Sequence, residues 1–391
     1  MGLFRRNKPT DDDGPPGDAP KKEKGSWRRP ANTAFKQQRL KAWQPILTPK
    51  TVLPTLFLIG IIFAPIGGLL VWGSGLVSEM TFDYTQCDAL PVSSDADNLE
   101  LQDLPQYKYN LKTSASKAPY NPPQYAFVNN SDQPQCYMQF DVPVDLEKPV
   151  FLYYKLTNFY QNHRRYVNSF DANQLKGQYV KPSTLNGGNC NPLAQDCSSG
   201  TCKAIYPCGL IANSLYNDTY SGLNSTTDST QTYSFSESGI AWPGEEKRYA
   251  DSPNYALDDM VPPPNWAKRF PDNYTSDNPP PNLKEDEHFQ NWMRTAGLPT
   301  FTKLYGRNDN DDLPKGRYQI IVNMNYPVKG FGGTKSIVIS TVSWIGGKNP
   351  FLGWAYVASA GMLVLLAILG TIRHLVRPRK LGDMSLLSWN R

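Results

Sequence analysis

Charge is missing from two stretches of this 391-residue chain: no Asp, Glu, Lys, Arg or His occurs in residues 51–78 or in residues 349–372. A helix needs about 20 apolar residues to cross ~30 Å of hydrocarbon, so each stretch can span a membrane. Core helices of that length rarely lack every charge, which argues against a buried helical pair. A signal peptide is a poor reading of the first stretch. Fifty residues precede it, and it exceeds the usual apolar region of roughly 7–15 residues. With no ionisable residue in either stretch, the chain by itself offers no polar transport path across a membrane.

Catalytic signatures are also missing. There is no Gly-x-x-x-x-Gly-Lys-Ser/Thr phosphate cradle, no Gly-x-Ser-x-Gly elbow and no His-Glu-x-x-His. The Asp-Lys-Thr-Gly phosphorylation string of P-type ATPases does not occur. Three histidines are too few for a His-rich metal protein. His163 lies in a polar string, Asn162-His163-Arg164-Arg165-Tyr166, with Asp171 as its nearby carboxylate. A lumenal hydrolase would need an orienting acid and a nucleophile within reach of that ring, so hydrogen bonding or interface contact is the expected role. Asp309, Asp311 and Asp312 alternate with asparagines, but no Glu or Gly follows at calcium-loop spacing, and a solvated turn is expected. No cofactor is expected.

Cysteine is absent outside the segment between the two spans. All six (Cys87, Cys136, Cys190, Cys197, Cys202 and Cys208) lie within it. An even set confined to one segment reads as disulfides in an oxidising compartment, with 15 possible connectivities. A zinc site is the competing reading for Cys190–Cys208, weakened by the lack of Cys-x-x-Cys and of a nearby histidine. The sequons Asn129, Asn217, Asn224 and Asn273 fall in the same segment and are candidate glycosylation sites.

The net charge of +5 and the mean hydropathy of −0.51 describe an ordinary basic, polar protein. The distribution says otherwise. Residues 1–50 carry +7, the segment between the spans −6, and residues 373–391 +4. The basic balance therefore does not point to nucleic acid. Lys36, Arg39, Lys41 and Lys50 precede the first span, and Glu79, Asp83 and Asp88 follow it. Arg373, Arg377, Arg379 and Lys380 follow the second. Positive charge stays on the cytoplasmic side, so both tails are expected there and the middle segment on the lumenal or extracellular side.

Five regions follow: a cytoplasmic tail 1–50, a span 51–78, a β-rich domain 79–348, a span 349–372 and a cytoplasmic tail 373–391. The tail holds an expected juxtamembrane helix at about 34–43, capped by Thr33. It presents Phe35, Lys36, Arg39 and Trp43, either at the headgroup level or to a partner protein. Small residues at Gly353, Ala355, Ala358, Ser359, Gly361, Ala367 and Gly370 suit close helix packing, on the first span or on an external helix. In the middle segment, Cys136–Val142, Val150–Phe159, Arg317–Tyr326 and Lys335–Trp344 are rich in β-branched and aromatic residues and read as strands. The last two are expected to join through a hairpin at 327–333. Glu285–Thr295 reads as a short helix, and Ser221–Ser238 as an irregular loop. The fold class is a membrane protein: two transmembrane helices and a disulfide-stapled, glycosylated, mainly antiparallel sandwich-like α+β ectodomain.

Specific strings then matter. Pro30–Pro45 (PANTAFKQQRLKAWQP), Tyr153–Val167 (YYKLTNFYQNHRRYV), Ile205–Thr219 (IYPCGLIANSLYNDT), Phe289–Ala296 and Phe331–Ser336 run in order along the chain. In these strings the chain resembles the ligand-effect-modulator family, whose founding member is cell-division-cycle protein 50, and most closely its fungal members. The resemblance covers about Pro30 to Pro378. It implies a non-catalytic β-subunit of a type-IV P-type ATPase, a phospholipid flippase. Such a subunit forms a heterodimer with the catalytic α-subunit, contacts membrane lipids, lets the ATPase leave the endoplasmic reticulum as a chaperone would, and supports its cycle. An aminophospholipid, phosphatidylserine, is the implied cargo. The implied location is the secretory pathway, from endoplasmic reticulum to Golgi, endosome or plasma membrane. The resemblance also implies the bridges Cys87–Cys136 and Cys190–Cys208, with Cys197 and Cys202 departing from the family pattern as an extra local pair. Phe35, Lys36, Arg39, Trp43, His163, Arg164 and Arg165 are the expected partner-binding residues. The alternative outside this class is a free-standing receptor or adhesion ectodomain.

Overall fold

A computed structural model describes residues 32–41, 47–93, 98–130, 133–198, 200–228 and 230–378. Two 27-residue helices, Pro49–Gly75 and Pro350–Val376, flank the β-rich region. At 1.5 Å per residue each is about 40 Å long, more than the ~30 Å hydrocarbon core. Both open with proline in the first turn, where no intrahelical donor is lost. The Asn349 side chain accepts from Phe351 N at 3.2 Å and caps the second helix. The first helix ends at Gly75, three residues before the uncharged stretch does, because Val77 and Ser78 already belong to the ectodomain floor.

The two helices pack on each other. Buried small residues recur every seven positions: Gly60, Gly67 and Ser74 on one helix, Gly353, Ala360 and Ala367 on the other. A methyl group at Gly67 would lie 2.8 Å from Val357 Cγ2, and one at Gly353 would lie 2.7 Å from Val71 N. The backbones therefore approach as closely as glycine permits, the usual route to membrane-helix association. Phe63 and Tyr356 add a ring contact at 5.1 Å.

Eight strands of four or more residues build the ectodomain among the described residues: β1 (Glu79–Asp83), β2 (Tyr107–Asn110), β3 (Gln124–Asn130), β4 (Gln133–Val142), β5 (Val150–Leu156), β6 (Phe301–Asn308), β7 (Gly316–Asn323) and β8 (Lys335–Thr341). One antiparallel sheet runs β6-β5-β8-β1-β2. The other is centred on β7-β4-β3 and extended by short edge strands. The sheets meet face to face. Phe82 of β1 stacks on Phe140 of β4 at 4.4 Å, and Met80, Met138, Ile320, Val322, Ile337 and Ile339 fill the same layer. Period-two patterning produces this: Tyr318, Ile320 and Val322 point inward along β7. Each fully buried large apolar side chain contributes about 2 kcal/mol. The loops between β5 and β6 enclose a second apolar cluster around Tyr206, Trp266, Phe270 and Phe289.

The junction between helix and sheet is short. Only Leu76, Val77 and Ser78 separate Gly75 from β1. Ser78 N donates to Thr341 Oγ1 at 3.0 Å and Thr341 N donates to Ser78 O at 2.9 Å. Lys348 Nζ bonds Val77 O at 2.8 Å and Leu111 O at 3.0 Å. Both chain entries into the membrane are thereby tied to one floor.

Three expectations need correction. The segment 327–333 is not a hairpin, because β7 and β8 lie in different sheets; the chain crosses between layers there, with Val328 buried. Alternation marks a strand's inward face but not which sheet it joins. Over the described part of 34–43 the chain forms turns, not a helix. Gln37 N bonds Thr33 O at 3.0 Å, Arg39 N bonds Ala34 O at 2.7 Å, and Gln38 has a φ of 53°. Helices this short are marginal without a packing face, and Phe35 and Leu40 are exposed. Finally, 221–238 is not wholly irregular: Leu223–Ser225 and Thr232–Tyr233 pair at the edge of the second sheet.

Candidate functional site: a partner-binding surface

The described juxtamembrane residues, 32–41, are exposed. Thr33 Oγ1 accepts from Lys36 N at 3.3 Å, and the Arg39 guanidinium donates to Asn32 Oδ1. Lys36, Arg39 and Lys41 are exposed, as is Phe35 at 76%. Trp43 lies outside the described residues.

The outward faces of the two helices form an apolar surface that none of the described residues covers. Leu58, Ile61, Leu69 and Trp72 line one side, and Met362, Leu365, Leu369 and Ile372 the other. The small residues divide between two faces: Gly60, Gly67, Gly353 and Gly370 meet the neighbouring helix, whereas Gly68 and Gly361 face open space.

His163, Arg164 and Arg165 stand exposed on the ectodomain, at a shallow cleft of about 590 Å³ shared with Asn168, Asn189 and Asn191. Arg165 Nη2 lies 3.4 Å from Asn191 Oδ1. Asp171 does not orient His163. Its carboxylate accepts from Asn173 N at 3.0 Å and Gln174 N at 2.8 Å, capping a short helix at Ala172–Leu175. Asp309 forks Arg307 at 2.7 and 2.8 Å, and Asp312 accepts from Lys148 N at 2.9 Å. Among the described residues no three His, Cys, Asp or Glu side chains assemble as a metal site.

The cysteines form three bridges: Cys87–Cys136, Cys190–Cys208 and Cys197–Cys202. The first two are buried in the two apolar clusters, and the third sits at the surface. Asn129, Asn217, Asn224 and Asn273 are all exposed.

Sequence reasoning passed over the most elaborate polar group in the fold. Lys335, at the head of β8, pairs with Asp218 at 2.7 Å, with side-chain exposures of 4% and 0%. Asp218 Oδ1 accepts from Asn325 N and Tyr326 N, and its Oδ2 from Tyr84 Oη at 2.8 Å and Tyr216 Oη at 3.3 Å. Tyr220 joins the cluster through Tyr84 at 2.9 Å. Burial, followed by the Asp218 charge, pushes the Tyr84 and Tyr216 hydroxyls well above their ordinary range, so both remain donors. The available signal was a lysine opening an otherwise apolar and hydroxylic strand.

The sequence of this chain matches a family model over residues 70–380, that of the LEM3 (ligand-effect modulator 3) / CDC50 family. The chain belongs to this family. Its relatives include the phospholipid-transporting ATPase accessory subunit CDC50 of Chaetomium thermophilum, 40% identical over 97% of this chain and 94% of the relative. The accessory subunit CRF1 of Saccharomyces cerevisiae is 43% identical over 93% and 89%. The cell cycle control protein 50A of Mus musculus is 38% identical over 93% of both chains. Family membership makes this an integral membrane protein, with the two long helices as its spans.

Proposed function

We propose that this chain is the accessory β-subunit of a phospholipid-transporting P-type ATPase. The observation that carries the reading is near-full-length similarity to fungal proteins named as such subunits. The uncharged spans and the lack of an ATPase motif agree with it: lipid path and ATP chemistry belong to the partner, and this chain is not an enzyme. The subunit forms a heterodimer with the catalytic chain and supports its assembly, its exit from the endoplasmic reticulum and its cycle. The cargo is an aminophospholipid, phosphatidylserine, moved to the cytoplasmic leaflet. Residues 1–50 and 373–391 lie in the cytoplasm. Residues 79–348 lie on the lumenal side, where the four exposed sequons receive glycan and the bridges form.

Three contacts make the complex. The ectodomain, including His163–Arg165, covers lumenal loops of the partner. The outer faces of the spans pack beside its helices. The segment Phe35–Trp43 braces it at the cytoplasmic face. Obligate interfaces of this kind bury about 2,000 Å² or more. Purification in mild detergent should bring down a P-type ATPase in equal amount; recovery only as a monomer or homodimer favours the free-standing receptor and removes this reading. Replacing Phe35, Arg39 and Trp43 together with alanine should weaken co-purification and lipid-stimulated ATP hydrolysis.

A further inference from the structure

A cleft of about 760 Å³ opens where the two spans meet the ectodomain. Its walls are Gly68, Val71 and Trp72 of the first helix and Trp354 and Val357 of the second; its roof is Lys112, Thr113 and Ser114. The cleft is open at Gly68: a methyl group there would have nothing within 4 Å. Trp72 and Trp354 are each 59% exposed. Tryptophan at a helix end marks the headgroup level. The helices also exceed the hydrocarbon thickness by about 10 Å, which brings this end of the pair to the headgroups. The cleft is therefore apolar below and polar above, and it straddles the membrane–water boundary.

We propose that this cleft seats one glycerophospholipid of the non-cytoplasmic leaflet, with an acyl chain along Gly68, Val71 and Val357 and the phosphate at Lys112. The charge distribution selects this occupant over a protein helix. An apolar helix filling the cleft would offer the Lys112 ammonium no charge beyond its exposed partner Glu147, whereas a phosphate supplies one from within the cleft. Lys112 is free to turn toward it. Its present partner, Glu147 at 3.3 Å, is 82% exposed, and pairs of that kind are weak. Ser114 also lines the roof. Thr113 Oγ1 is engaged by Gly75 O at 3.2 Å, which fixes the roof to the helix end. The proposal rests on the membrane reading of the spans, with the leaflet following from the proposed topology, and not on the identity of the ATPase.

The test uses the full chain in nanodiscs with a phosphatidylglycerol probe bearing a diazirine on one acyl chain, and the matching diacylglycerol probe without phosphate. Labelled peptides are mapped by mass spectrometry. Peptides carrying Val71–Leu76 and Trp354–Val357 should be labelled above those carrying Leu365 and Leu366. Gly68→Leu, whose Cβ has room and whose side chain occupies the acyl-chain path, should abolish the excess. Lys112→Met should lower phosphatidylglycerol labelling about tenfold, the loss of one charge-assisted hydrogen bond, and leave diacylglycerol labelling unchanged. Non-reducing gels check that both variants keep their bridges. Even labelling along both helices, or an excess that survives Gly68→Leu, overturns the proposal. So does equal labelling by the two probes. A photo-crosslinker at Gly68 that traps the ATPase in the intact complex also overturns it, by giving the cleft to the partner. Co-purification of the ATPase is read separately, so either idea can fail alone.

Discussion

Removing either partner of the buried Lys335–Asp218 pair should destabilise the ectodomain, but by unequal amounts. In Lys335→Met, Asp218 keeps two backbone N–H donors and the Tyr84 and Tyr216 hydroxyls, so its charge stays solvated by the protein. In Asp218→Ala, the Lys335 ammonium, 4% exposed, keeps Tyr326 O at 2.9 Å and the Tyr84 ring face at 5.2 Å. The same change strips an acceptor from two amides and two hydroxyls. Breaking a buried pair costs about 3–5 kcal/mol. Lys335→Met is expected at the lower end and Asp218→Ala at or beyond the upper end. Domains of ordinary stability hold only about 5–15 kcal/mol in total, so Asp218→Ala should mature poorly. The assay is denaturant unfolding of the disulfide-intact full chain in detergent, followed by tryptophan fluorescence. Adding Lys335→Met to Asp218→Ala should recover part of the loss, because it removes the stranded cation. Losses below about 1 kcal/mol in both single variants would place the pair with surface pairs and refute the reasoning. A larger loss for Lys335→Met, or no recovery in the double variant, would refute the asymmetry.

Bridge removal should rank by loop length. With closures of 49, 18 and 5 residues, loss of Cys87–Cys136, Cys190–Cys208 and Cys197–Cys202 should cost about 4, 3 and 2 kcal/mol, measured as denaturation midpoints of the Ser–Ser variants. The exposed third bridge should be the first reduced by dithiothreitol. Burial opposes ionisation of Glu287, but the N–H groups of Ala241, Gly239 and Ile240 outweigh it and hold the carboxyl below its ordinary range. A depressed carboxyl contributes stability above its unfolded value of about 4.5 and loses it as pH falls through the lower folded value. Amide exchange at 239–241 should therefore rise below pH ~4.5, and Glu287→Gln should show that rise already at neutral pH. In the membrane, Gly67→Leu should separate the spans and abolish a disulfide engineered between positions 63 and 356. Gly361→Leu should not, since its methyl meets nothing within 4 Å.

Much of this molecule was legible in the chain because membrane and core impose opposite patterns. Uncharged runs marked both spans, and β-branched, aromatic strings marked β4, β5, β7 and β8 within a few residues. Asp286 and Glu287 announced the helix Glu287–Met293, where Asp286 accepts from Phe289 N at 2.8 Å. What stayed hidden was long-range. Lys335 and Asp218 lie 117 residues apart, and no local property of either predicts the other. The crossing at 327–333 was misread for the same reason: pattern specifies which side of a strand is apolar, and assembly specifies which sheet receives it. The residues proposed to face a partner rest on similarity, because an exposed Phe35 or Arg165 leaves no mark in periodicity.

The three-residue junction at Leu76–Ser78 has a mechanical consequence. A glycine- or serine-rich tether would let the ectodomain ride on the membrane independently of its anchors. Instead Val77 O, Ser78 N and Ser78 O are clamped, and the same lysine that clamps Val77 stands two residues before the return span. The first span and the sandwich are therefore coupled directly where they meet. A tilt of a few degrees imposed on the spans must appear at the distal edge of the sandwich as a lateral swing.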